Sequence, residues 1–279
     1  MSFFRFLFLF ILFSLGAVHQ LLAQDLYDLE HSRTFAKGLM EQEAYEHAVQ
    51  EYERVIHLAP EVPSYRCELL SAYEEAGFYR RGLERAKQLF EDPMSVPRPT
   101  ARNYAKLLYG AEAFDPLRKY VERNEHFFQR DRFSTTLTVH MIQREWEKAY
   151  TFFEDRSPIP GSFYSKYAEL VKDAKSRPRR SPFAAVAFSS ILPGSGKFYT
   201  GNWKDGLVSL LLTGFNGYMA YRGFRRKGVQ SVQGWIFSGL GFSFYIGNLY
   251  GAAKGAERFN QRQEQKLVDR AKSLWRTRF

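Results

Sequence analysis

The residues best suited to chemistry lie in the segment ILPGSGKFY at 191–199, followed by Thr200 and Gly201. Glycines ahead of a lysine suggest a phosphate loop, in which backbone N–H groups cradle phosphate oxygens. That loop needs glycine at 191 and Ser or Thr at 198, where this chain has Ile191 and Phe198, so nucleotide binding is not expected. The histidines, His19, His31, His47, His57, His126 and His140, are scattered. None forms the i, i+4 pair around a glutamate that holds zinc on a helix. Cys67 is the sole cysteine, which excludes an internal disulfide and a multi-cysteine metal centre. Glu74-Glu75 and Glu154-Asp155 read as polar helix surface. These residues predict no catalytic site, no metal and no cofactor, and a protein that is not an enzyme.

The residues that remain do structural chemistry, and the elements that must position them fall into two halves. Over 25–176 the net charge is −4, and over 177–279 it is +13. The second half also holds 14 of the 20 glycines between residues 181 and 258, with only Asp205 and Glu257 acidic there. Cations beside long uncharged runs favour anionic lipid headgroups over nucleic acid. No zinc-finger or basic-zipper spacing supports a nucleic-acid partner. At the N-terminus, Arg5 precedes the apolar core Phe6–Val18, and Ala23 precedes Gln24 and Asp25. This predicts a signal peptide over 1–24, or an uncleaved anchor, with the following domain exported.

Residues 25–174 repeat. Tyr45, Ala48, Tyr52 and Pro60 recur about 34 residues later as Tyr79, Gly82, Ala86 and Pro93, with Leu69 and Tyr73 on the preceding helix. A small residue lets two helices approach, an aromatic fills the gap against the next unit, and proline ends the second helix. A third unit over 101–124 is interrupted by Phe114-Asp115-Pro116; a fourth over 133–155 carries Trp146, Ala149 and Phe153. Residues 163–174 are expected to close the array. The spacing resembles the tetratricopeptide repeat. That resemblance implies an all-α solenoid whose surface holds a protein or peptide partner, with Tyr45, Ala48, Tyr52, Tyr73, Tyr79, Gly82, Trp146 and Ala149 as packing residues. Exposed positions of the first helices, Lys37, Arg66, Asn103 and Lys106, are then the candidates for contacting the partner.

A basic, proline-containing linker is expected at 175–182, a helical transmembrane domain at 183–255, and a basic amphipathic tail at 256–279. Within the domain, residues 183–199 suit an interfacial segment and 206–222 and 232–252 two spans. A third membrane segment stays open, as does the side of the tail. Gly239, Ser243, Gly247, Gly251 and Gly255 form a four-residue stripe, expected to pack on the first span or on a second copy of the chain. Asn216 and Asn248 are expected to hydrogen-bond within the bundle, or else to line a transport path. Pro193, Gly194, Gly196, Tyr199 and Gly201, with Gly206 and the later Gly247-Asn248 and Asn260, resemble small bacterial glycine-rich two-span membrane domains. The resemblance implies membrane topology and carries over no activity. Together these readings predict an exported scaffold held at the inner membrane of the cell envelope; an oligomeric transport component is the alternative.

Overall fold

The computed structural model describes residues 28–156 and 162–279, so the expected signal peptide lies outside the described residues. All regular elements among them are helices. Four pairs come first: α1 (Leu29–Glu41) and α2 (Tyr45–Leu58), α3 (Pro63–Glu75) and α4 (Tyr79–Leu89), α5 (Arg98–Gly110) and α6 (Phe114–Arg123), α7 (Gln129–Ile142) and α8 (Trp146–Asp155). Then come α9 (Ser162–Lys175), α10 (Pro182–Ile191), the short α11 (Ser195–Tyr199), α12 (Trp203–Lys227) and α13 (Val232–Arg276).

The four pairs share one turn. Glu43, Gly77, Glu112 and Arg144 have φ of 58°, 72°, 56° and 58°. The N–H of the next residue returns to the carbonyl five residues back: Ala44 to Leu39, Phe78 to Tyr73, Ala113 to Leu108, Glu145 to His140. This is the Schellman closure, in which a left-handed residue ends one helix and caps its last carbonyls. An aromatic opens the second helix each time: Tyr45, Tyr79, Phe114, Trp146. The expected interruption at Phe114-Asp115-Pro116 is therefore no interruption. Pro116 falls in the first turn of α6, where an N–H has no intrahelical acceptor to lose.

The chain divides into two compact units: the described residues up to Val139 together with Thr277–Phe279, and His140–Arg276. The division falls inside α7, upstream of the 175–182 segment. In the first unit Ala36, Ala48, Tyr52, Leu69, Leu70, Tyr73, Ala86 and Leu107 form one apolar core. Gly82 earns its place by contact, since a Cβ there would sit 2.8 Å from Leu107 Cδ2 and 2.9 Å from Tyr73 Cβ. Tyr79 lies across Gly110 in the same way, leaving no room for a side chain at that glycine. Tyr45 is only half-buried.

In the second unit α12 and α13 form an antiparallel hairpin: Gly223 meets Gly234 near the turn and Asn216 meets Gly241 farther along. The expected tail is not a separate element, because α13 runs unbroken from Val232 to Arg276. No described helix is long and apolar enough to cross a membrane. Run length was the misleading quantity: glycine, asparagine, serine and tyrosine leave a run uncharged without making it apolar.

Candidate functional site

On the first unit, polar residues of the first helices mostly stitch neighbouring helix pairs together. Arg33 of α1 pairs with Glu68 of α3 at 2.6 Å. Lys106 of α5 pairs with Glu74 of α3 at 3.3 Å, and burial still pushes the Glu74 carboxyl up against that attraction. Asn103 donates to the Cys67 carbonyl at 3.0 Å. Arg66 donates to the Pro60 and Leu89 carbonyls, closing α2 and α4. Of the four expected partner-contact residues, Arg66, Asn103 and Lys106 are thus engaged between helices of the unit, while Lys37 is exposed. Tyr73 of α3 donates to Glu53 of α2 at 2.8 Å, and burial with that carboxylate pushes its phenol up to about 12.

A different cluster on the same unit engages residues far away in sequence. Arg102 of α5 donates through Nη2 to the Arg278 carbonyl at 2.6 Å and the Phe279 carbonyl at 2.9 Å. Arg278 Nε donates to Asp131 Oδ1 at 2.6 Å. Asp131, in the first turn of α7, is 3% exposed; its other oxygen accepts from the Phe128 N–H and from Arg98. The Phe279 ring lies 5.8 Å from that of Phe127, with the Arg102 guanidinium 5.7 Å above it. Arg98 stacks on Phe128 at 3.9 Å. Burial holds the Arg102 guanidinium below its usual range, Arg98 and Arg278 push the same way, and Asp131 opposes them. Sequence periodicity gave no sign of Arg98, Arg102, Phe127, Asp131 or Phe279, because ends of helices and short loops carry no repeat signal.

In the second unit the glycine-rich motif closes on itself. Gly194, with φ of 93°, caps α11 and donates its N–H to Asn248 Oδ1 at 3.0 Å. A Cβ on Gly194 would overlap the Gly206 carbonyl oxygen, and one on Gly196 would overlap that of Ala185. Gly196 N–H donates to Ser189 Oγ at 3.0 Å, and Lys197 Nζ to Ser209 Oγ at 2.7 Å. Asn260 clamps the linker, accepting from the Arg180 N–H and donating to the Arg180 carbonyl, both at 2.8 Å. The Arg180 guanidinium lies 4.7 Å from the Tyr199 ring. Pro193 precedes the turn, and Gly201, with φ of 81°, follows α11.

The structure redirects the small-residue stripe. Gly251 and Gly255 face α11, where a Cβ would come within 3.0 Å of Lys197 Cε and 2.9 Å of Thr200 Oγ1. Gly239 and Gly247 face open space, as do Gly214 and Gly217, and Ser243 is exposed with its hydroxyl on the Gly239 carbonyl. The stripe therefore does not form the α12–α13 contact, which passes through Gly223, Gly234, Asn216 and Gly241 instead. Asn216 and Asn248 are 5% and 2% exposed, and Asn216 donates to the Leu212 carbonyl of its own helix at 2.8 Å. Among the described residues no group of His, Cys, Asp and Glu is arranged to hold a metal ion. The clasp holds helices in place, and the Arg102–Asp131 cluster binds backbone and a guanidinium. No protein-family model matches the chain, and none of the curated proteins compared with it is similar in sequence.

Proposed function

We propose that this chain is a membrane-anchored scaffold: a tetratricopeptide-like repeat unit that binds a protein partner, held at a bilayer of the cell envelope by the glycine-rich unit. The observation that carries the reading is the inside-out composition of the hairpin. The buried residues of α12 are Gly206, Ser209, Asn216, Ala220 and Gly223, all small or polar. Its large apolar residues, Leu207, Val208, Leu211, Leu212, Phe215, Tyr218 and Tyr221, are exposed. In α13, Trp235, Ile236, Leu240, Phe242, Phe244, Ile246 and Tyr250 are exposed, and Gly234, Asn248, Ala252 and Gly255 are buried. A unit folded in water buries its large apolar side chains. Helices in lipid pack through small residues and polar contacts and leave large apolar side chains to the acyl chains.

The ends of the belt agree. Arg222, Arg225, Arg226 and Lys227 with Trp235 stand at the turn end, and Trp203, Lys204, Lys254 and Arg258 at the other. Tryptophans and cations are enriched where helices meet headgroups. The signal-like N-terminus supports export of the repeat unit across the inner membrane. For the transport alternative, Asn216 gives no support, since it donates to the Leu212 carbonyl of its own helix; Asn248 accepts from the Gly194 N–H, and its Nδ2 is buried without a partner. No catalytic role enters this reading.

The test is membrane retention after carbonate washing of cells expressing the full chain, beside a Leu211→Lys/Phe215→Lys variant. The anchor reading requires the natural chain to stay in the pellet and the variant to be lost from it. Release of the natural chain by carbonate overturns the anchor. Crosslinking and pull-down in the same cells then ask whether envelope proteins are captured through residues 25–174.

A further inference from the structure

We infer that the surface formed by the start of α5, residues 127–128 and the first turn of α7 is a peptide-binding site that takes a short arginine–aromatic segment, and that residues 277–279 occupy it in cis. The inference rests on the repeat unit being a partner-binding module and names the chemistry of the partner.

Three features make this a receptor rather than a chance contact. The recognition is divided between backbone and side chain: Arg102 reads two successive main-chain oxygens, those of Arg278 and Phe279. Asp131 supplies the selectivity. It is nearly buried, its Oδ2 is already committed to the Phe128 N–H and Arg98, and its Oδ1 receives Arg278 at 2.6 Å. A carboxylate fixed in this way discriminates for a cation, and the planar guanidinium suits it better than an ammonium. The Phe127 ring and the Arg102 guanidinium then flank the Phe279 ring.

An exposed aromatic stands beside the present occupant. Phe128 is 54% exposed beside Arg98, an aromatic platform on which a longer ligand continues. Arg102 makes the vacant site costly. Its guanidinium is already desolvated and crowded by Arg98, so loss of the 278 and 279 carbonyls removes acceptors that water replaces incompletely. A competing segment with the same carbonyls and a preceding arginine restores them. A tethered occupant acts at high effective concentration. The natural chain is therefore self-occluded, and a partner's segment must displace residues 277–279.

The experiment uses full-length protein in a neutral detergent and a fluorescein-labelled peptide of residues 272–279 as probe, with a second peptide carrying alanine at the last two positions. An Arg278→Ala/Phe279→Ala variant should bind the probe about tenfold or more tightly than the natural chain. Adding Asp131→Asn to that variant should weaken binding by about tenfold, and the alanine peptide should bind no form. Equal binding by natural chain and variant, or equal binding of both peptides, overturns the inference. If the variant folds poorly, hydrogen exchange on the natural chain with saturating probe decides: residues 277–279 must exchange faster as they are displaced, and unchanged exchange overturns the site. The scaffold reading fails separately. Partner capture without probe binding sinks only the inference, and probe binding without any partner captured leaves the site as a cis latch and sinks the scaffold.

Discussion

Replacing Gly196 with alanine tests the clasp at its tightest point. The added Cβ would overlap the Ala185 carbonyl oxygen and approach Ser189 Oγ, and both belong to α10. The obstacle is backbone, so α10 and α11 must separate. Overpacking of this kind costs about 1–3 kcal/mol. Separation also breaks the Gly196 N–H to Ser189 Oγ bond, worth about 1 kcal/mol. The sum is about 2–4 kcal/mol, or roughly 30- to 1,000-fold in the opening equilibrium at 1.4 kcal/mol per tenfold. Gly201→Ala is the control. It has φ of 81° and no atom within 4 Å of a would-be Cβ, so it carries left-handed strain alone, about 1 kcal/mol and roughly fivefold. Hydrogen exchange of α10 amides in detergent-solubilised full chain reads both. Equal acceleration in the two variants, or none in Gly196→Ala, would refute the close-packed clasp.

Three further outcomes are expected. Glu112→Gly and Glu43→Gly should each stabilise the repeat unit by up to about 1 kcal/mol in urea unfolding, by relieving left-handed strain, whereas Gly77→Ala should destabilise it by about 1 kcal/mol. Tyr73 should make stability fall between pH about 10, its ordinary value, and about 12, its folded value. The folded state holds that proton more tightly than the unfolded chain, so the contribution is complete below the lower value and lost as pH passes the upper one. Urea melts across this range should show a smaller decline in Tyr73→Phe. Asn248→Leu should lower the second unit's melting temperature more than Asn216→Leu. It orphans the buried Gly194 N–H, at about 1–3 kcal/mol, while Asn216 only back-bonds to its own helix; equal shifts would count against the clasp.

How much of this was legible in the sequence depends on what kind of contact each residue makes. Ala48, Gly82, Tyr73 and Ala149 were readable because a packing contact between helices recurs with the repeat and demands a side-chain size. The turn between paired helices recurs just as strictly, yet it was invisible. It demands a backbone angle, and Glu43, Glu112 and Arg144 adopt that angle without the glycine that Gly77 supplies. The same distinction explains the third unit. Pro116 looks like a breaker along a string of residues and is harmless once Phe114 is the first residue of its helix.

In the second unit the residues were identified but their partners were not. The four-residue spacing of Gly239, Ser243, Gly247, Gly251 and Gly255 defines one face of a helix and says nothing about what covers it. Here α11 covers only Gly251 and Gly255. Helix periodicity likewise cannot say which way a face points. Large apolar residues on α12 imply a core if they face inward and a lipid contact if they face outward, and both readings give the same pattern. The burial of Ser209, Asn216 and Gly223 opposite the exposed Leu211 and Phe215 is the observation on which the proposed lipid contact rests. For the same reason a charge substitution at Leu211 and Phe215 is the sharper probe of the anchor than any substitution of the asparagines. It acts on the surface whose direction carries the reading, whereas the asparagines are buried within the unit.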